Sequence, residues 1–98
     1  SSTDPVSEVE QLFEKDAHYL PVYKLILTMC AEDGGAAMPT LDNAIVNDPL
    51  VQNPRCYASR FVTFLESVGA VTWQSTWHIT GTGLEGLEML RDIQTAGI

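Results

Sequence analysis

The residues able to do chemistry are few and far apart. His18 and His78 stand in distant parts of the chain and no Cys-x-x-Cys accompanies them, so no metal set is expected. Cys30 and Cys56 fall in two separate predicted helices and read as free thiols rather than a disulfide. Cys56 occupies the first turn of its predicted helix beside Arg55, a setting that lowers a thiol pKa. It has no resolving cysteine or paired histidine in the sequence, so a redox role is the minor reading. Gly81-Thr82-Gly83 follows a predicted strand, but it lacks the third glycine and the lysine of a phosphate loop and reads as a turn and helix cap. The carboxylates are scattered and suggest no acid–base pair. The expectation is a protein that is not an enzyme and holds no cofactor or metal. The chemistry left is recognition, and its candidates are Arg55, Ser59, Arg60 and Thr63.

Those four fall on one stretch, Asn53 to Val68. Asn53 suits an N-cap and Pro54 the first helical position. Tyr57, Phe61, Phe64, Leu65 and Val68 then make one apolar stripe at helical spacing, and Gly69 supplies a left-handed stop. The spacing predicts a helix over 54–68. Its outer face carries Arg55, Ser59 and Glu66, flanked by Val62 and Thr63, with Arg60 on the shoulder. After Gly69 the period becomes two, and 70–80 reads as a hairpin. Its turn at Gln74-Ser75-Thr76 lacks the Asn-Gly or Asp-Gly of a tight turn, so a longer or bulged turn is expected. Trp73 and Trp77 are expected near each other across it, buried against the 54–68 helix rather than free to stack on bases.

Other elements complete a single domain over 1–98. Ser7 and Glu10 match a capping box for a helix of about 8–16. A break at Asp16–Leu20 precedes a strongly apolar helix, Pro21 to Asp33, with Val22, Leu25, Ile26, Met29 and Cys30 on its stripe. Gly34-Gly35 ends it. Ala36–Met38 is expected as a short strand joining the hairpin, and Thr40 as the cap of a helix over Leu41–Asn47. Thr82 and Glu85 form a second capping box for a helix of about 83–94. Its Leu84, Leu87, Leu90 and Ile93 offer a possible dimer face.

The chain has 98 residues, 45% of them apolar, and a net charge of −8. That composition predicts a folded, acidic domain. Residues 1–48 hold nine acids against two lysines, whereas 49–82 hold two arginines and one acid. The acid is concentrated away from the 54–68 helix. This polarity fits a DNA reader better than the net charge suggests, and it equally fits an acidic face for a basic partner. No apolar run is long enough to span a membrane, and the polar, acidic N-terminus is unlike a signal peptide. A cytoplasmic protein is expected. The serine start suggests processing or excision from a longer chain.

The order helix, short strand, helix, helix, strand, strand, helix resembles the winged helix-turn-helix superfamily. The closest likeness is to MarR- and PadR-type regulators, and it rests on Leu65, Gly69, Ile79-Thr80, Gly83, Leu87 and Leu90. The resemblance implies an α+β fold, mainly α with a small β-hairpin. Its helix-turn-helix would span 40–68 and its wing 70–80, with extra N-terminal (8–33) and C-terminal helices. It implies duplex DNA as partner, with Arg55, Ser59, Arg60 and Thr63 facing the groove. The alternative is a protein-docking module that uses the acidic N-terminal half or Val62 and its neighbours. The wing tip Gln74-Ser75-Thr76 carries none of the basic residues that such regulators place there.

Overall fold

Apolar residues at helical spacing bury one stripe of each helix, and those stripes converge on a single core. The computed structural model describes the backbone of residues 5–52 and 55–96, and the side chains of 6–52 and 55–92. It is mainly helical with one two-stranded antiparallel sheet. The elements are α1 (Pro5–Lys15), α2 (Leu20–Cys30), α3 (Met38–Ile45), α4 (Ala58–Ser67), β1 (Val71–Gln74), β2 (Thr76–Ile79) and α5 (Gly81–Ala96). Short 3-10 turns occupy Ala17–Tyr19 and Pro49–Val51.

α1 buries Val9, Leu12 and Phe13. It begins at Pro5, so Ser7 lies inside the helix and does not cap it. Proline tolerates this place because the first turn has no use for its missing N–H. The break after α1 is a tight turn in which Tyr19 N–H donates to Asp16 C=O. α2 buries Val22, Tyr23, Ile26, Leu27 and Cys30 and is the centre of the core. It stops at Cys30, short of the expected Asp33, because Ala31 to Gly35 close into successive tight turns, with Gly34 and Gly35 both left-handed.

The expected strand over Ala36–Met38 shrinks to one residue. Ala36 exchanges both backbone hydrogen bonds with Trp77, at 2.9 and 2.8 Å. Met38 is already helical, with Pro39 in the first turn of α3, so Thr40 lies within that helix and does not start it.

The largest departure concerns α4. Asn53 and Pro54 lie outside the described residues. Cys56 N–H donates to Val51 C=O, and Tyr57 is extended, so the helix begins at Ala58. Its cap comes from elsewhere in the fold. Ala58 N–H donates to Oδ1 of Asp42, on α3, at 2.7 Å. A carboxylate there also suits the positive end of the helix dipole. The buried set is therefore Ala58, Phe61, Val62 and Leu65. Val62, expected on the outer face, is core, while Tyr57 and Phe64, expected inside, are 55% and 38% exposed. Gly69 ends α4 with φ +78°, as the sequence predicts.

The hairpin pairs Val71 with Ile79, Thr72 with His78, Trp73 with Trp77 and Gln74 with Thr76. Its turn is tighter than expected and rests on Ser75 at φ +70°. The tryptophan rings meet with centroids 5.2 Å apart. Trp73 is 55% exposed rather than buried. Core cover reaches Val71 at the start of β1 but runs out two residues later on the same face.

α5 is capped by Thr80, not Thr82. Thr80 Oγ1 accepts from Gly83 N–H at 3.0 Å and donates to Gly69 C=O. The helix crosses α1 and α2. Leu87 and Leu90 are each 2% exposed, so two of the four leucine-face residues expected for dimerisation are spent on the chain's own core. Leu84 stands at the surface, and the Ile93 side chain lies outside the described residues.

Gly83 marks the tightest approach, since a Cβ there would strike the Ala70 carbonyl and Ile79. Nothing lies within 4 Å of a Cβ at Gly81, one turn-half earlier. Gly83→Ala should lower stability by about 1–3 kcal/mol, the usual cost of overpacking. Gly81→Ala should be neutral or stabilising by up to about 1 kcal/mol. Urea midpoints of the two variants check this, and equal midpoints would contradict the close approach.

Candidate interaction surface on α4

The outer side of α4 is organised by one carboxylate. Asp16, at the break after α1, accepts a 2.6 Å hydrogen bond at Oδ2 from the hydroxyl of Tyr23, whose ring is fully buried. The same carboxylate holds Arg60 of α4. Nη2 donates to Oδ1 at 3.4 Å, and Nη1 lies 3.4 Å from Oδ2, close enough for an ion pair but without hydrogen-bond geometry. The guanidinium carbon also sits 4.9 Å from the Tyr19 ring centroid, 5.0 Å from Phe61 and 5.2 Å from Phe64. Such contacts are cation–π attractions that hold an arginine in place. Burial, then the Asp16 partner, pushes the Tyr23 hydroxyl well above its ordinary range, so it stays a neutral donor.

Beside this network, the Tyr19 hydroxyl lies 3.7 Å from Cys56 Sγ. That contact, then desolvation, raises the tyrosine's pKa. Cys56 and Cys30 are both free cysteines. Cys30 is buried in the core, and burial pushes its thiol up to about 11.

Two clefts flank Arg60. The first, of about 360 Å³, gathers all four residues nominated from the sequence: Arg55, Ser59, Arg60 and Thr63. Tyr57, Cys56 and Phe64 complete its walls. Arg55 is exposed, with its guanidinium carbon 4.9 Å from the Tyr57 centroid and Nη1 donating to Val46 C=O at 3.3 Å. The second cleft, of about 470 Å³, runs between α1 and α4 and shares Arg60 and Phe64 with the first. It adds Lys15, which the sequence presents only as one cation in an acidic half.

The four candidates are thus adjacent but not equivalent. Arg55, Ser59 and Thr63 are exposed, whereas Arg60 is committed to Asp16 and three rings. Glu66 is exposed on the same helix, and Val62 contributes nothing to the surface. At the hairpin tip, Gln74 and Ser75 are exposed and uncharged. Among the described residues, no group of three or more His, Cys, Asp or Glu could hold a metal ion, and no helix is long and apolar enough to cross a membrane.

The Asp16 bracket predicts coupling. Tyr23→Phe and Arg60→Met should each destabilise by about 1.5–3 kcal/mol, the range for hydrogen bonds to charged groups. The double variant should lose less than the sum by at least about 0.5 kcal/mol, as neighbours in one network do. Strict additivity in urea titrations would show the two contacts to be independent.

The thiols should also differ. Native protein should react with a thiol reagent at Cys56 and spare Cys30 until it unfolds. Because the folded thiol of Cys30 binds its proton more tightly than the unfolded one, this contribution to stability is full below about 8.5, the free value. It is lost as pH rises towards about 11. A urea midpoint that held steady or rose across that window would contradict the burial argument.

Compared with protein-family models, curated proteins and solved structures, the chain matches none of them.

Proposed function

We propose that the chain is a winged-helix module that docks another protein through the outer side of α4, rather than a reader of DNA. In this reading α2, α3 and α4 are the three helices of the motif, β1 and β2 are its wing, and Ala36 is the remnant of its first strand. The observation that carries it is the state of Arg60. The only cation within α4 is held by Asp16 and packed on three aromatic rings, which leaves it poorly placed to neutralise a phosphate. Affinity for duplex DNA rests on such neutralisation. What α4 and its approach offer instead are exposed Tyr57 and Phe64 beside one exposed arginine, Arg55. Aromatic residues with arginine are the composition enriched at protein–protein contacts. The uncharged hairpin tip and exposed Trp73 point the same way.

One observation favours the DNA reading. Arg55, Ser59 and Thr63 share a cleft on the face that would enter a major groove. The two readings separate cleanly. Under the docking reading, mixed-sequence duplex should show no binding at tens of micromolar protein and low salt, where nonspecific readers with dissociation constants of about 10⁻⁴ to 10⁻⁶ M at physiological salt bind more tightly still. A photo-crosslinking amino acid placed at Tyr57 or Phe64 should give discrete protein adducts in the producing cells, and the same group at exposed Leu25 should not. Micromolar duplex binding abolished by Arg55→Ala would overturn docking in favour of DNA.

A further inference from the structure

The hairpin leaves one of its two edges open. On the β2 side, Trp77 exchanges both backbone hydrogen bonds with Ala36, so its N–H and C=O point away from β1. In an antiparallel ladder, two facing residues either exchange both bonds with each other or turn both groups outward. Trp73 faces Trp77, so the Trp73 N–H and C=O point away from β2, to the free side of β1. Among the described residues nothing bonds them. Val71, the other outward position of β1, is covered by the fold at 2% exposure, while Trp73, Gln74 and Ser75 are exposed. The open edge is therefore one residue wide and lies toward the tip.

Exposed strand edges are commonly guarded by lysine, proline or a bulge. This edge has none of them. Ser67 to Leu84 contains no Asp, Glu, Lys, Arg or Pro, and β1 and β2 pair residue for residue. The chain as a whole carries −8, so two copies repel each other over most of their surface. The hairpin is the stretch on which they can meet without like charges facing. Glu66 and Glu85 bound it in sequence, and both join it at its Val71–Ile79 end, away from the tip. A residue that turns one donor and one acceptor outward is also its own complement. Across a two-fold axis, each Trp73 N–H can donate to the C=O of the other Trp73.

We propose that the β1 edge pairs with the β1 edge of a second copy of this chain, antiparallel, about a two-fold axis at Trp73. The two hairpins then form one four-stranded sheet. Thr72 of each copy faces Gln74 of the other, a neutral pair on the far side of the sheet from the indoles. The two Trp73 rings come side by side, each beside its own Trp77, and lose water in doing so. A contact this small belongs with weak associations, with a dissociation constant on the order of 100 µM. The pairing uses a different edge from the α4 surface, and its fate is separate from the docking reading.

The test is sedimentation velocity of the full chain, from about one-twentieth to about ten times that concentration. Monomer should give way to dimer across the range, and tryptophan emission should shift to shorter wavelength with the same midpoint. Raising salt from about 0.05 to about 0.5 M should tighten the dimer at least twofold, because screening relieves repulsion between two acidic chains. Trp73→Pro removes the outward N–H without touching a bond of the hairpin, and should weaken the dimer at least about tenfold. Gln74→Glu places like charges beside the axis and should weaken it at least about threefold at low salt. Leu84→Ser, on the exposed side of α5, should change nothing.

A chain that stays monomeric to the highest concentration would overturn the proposal. So would a dimer indifferent to both hairpin variants, one lost in Leu84→Ser, or one weakened by salt. If Trp73→Pro fails to fold, Gln74→Glu and the salt series decide the question.

Discussion

The arrangement of the helices around α4 depends on a single buried-edge carboxylate. Asp16 joins three elements at once: the break that follows α1, the buried tyrosine of α2, and the arginine of α4. The tyrosine hydroxyl and Nη2 of Arg60 both find their acceptor in this carboxylate, and without it they would be stranded near the core. The same contact fixes the rotation of α4, because Arg60 and Phe61 are neighbours along the helix. With Arg60 tied to Asp16, Phe61 turns inward onto Tyr23, the two ring centroids lying 5.3 Å apart. The outer surface of α4 is thus a consequence of an interaction on its inner shoulder.

That constraint also explains what the sequence could and could not reveal. Helices and hairpin were legible from periodicity and glycine stops, whereas the capping patterns at Ser7, Thr40 and Thr82 missed the true helix starts. Gly69 marks a stop because left-handed backbone follows α4, and Val71 to Ile79 alternate because they pair. The start of α4 was not legible. Its cap is Asp42, which is local to α3 in sequence and meets Ala58 only in the folded chain. Asn53-Pro54 offered a stronger local signal. The apolar stripe was read correctly at Phe61 and Leu65, but Phe64 and Val62 flank that pair on opposite sides, and the packing of the fold chose Val62. The leucines of α5 show a similar limit, since an amphipathic terminal helix presents the same pattern whether it covers its own domain or a second chain. α1 and α2 settle the matter for Leu87 and Leu90.

The candidate surface was half legible. The spacing of Arg55, Ser59 and Thr63 placed them correctly beside one another. It could not show that Arg60 is occupied, because its partner lies on another helix and Asp16 reads in sequence as one more acid in an acidic half. The same holds for Lys15. Its place beside Arg60 comes from the cleft formed where α1 passes α4, a property of packing that neither helix carries alone.

The facing tryptophans of the hairpin carry a practical corollary. Both of the chain's indoles lie on this one ribbon, 5.2 Å apart, and one is largely in water. Intrinsic emission therefore monitors the ribbon, while far-ultraviolet dichroism monitors the helices. Melting curves from the two spectroscopies superimpose only if ribbon and bundle come apart together, so this small domain carries a built-in gauge of its own cooperativity.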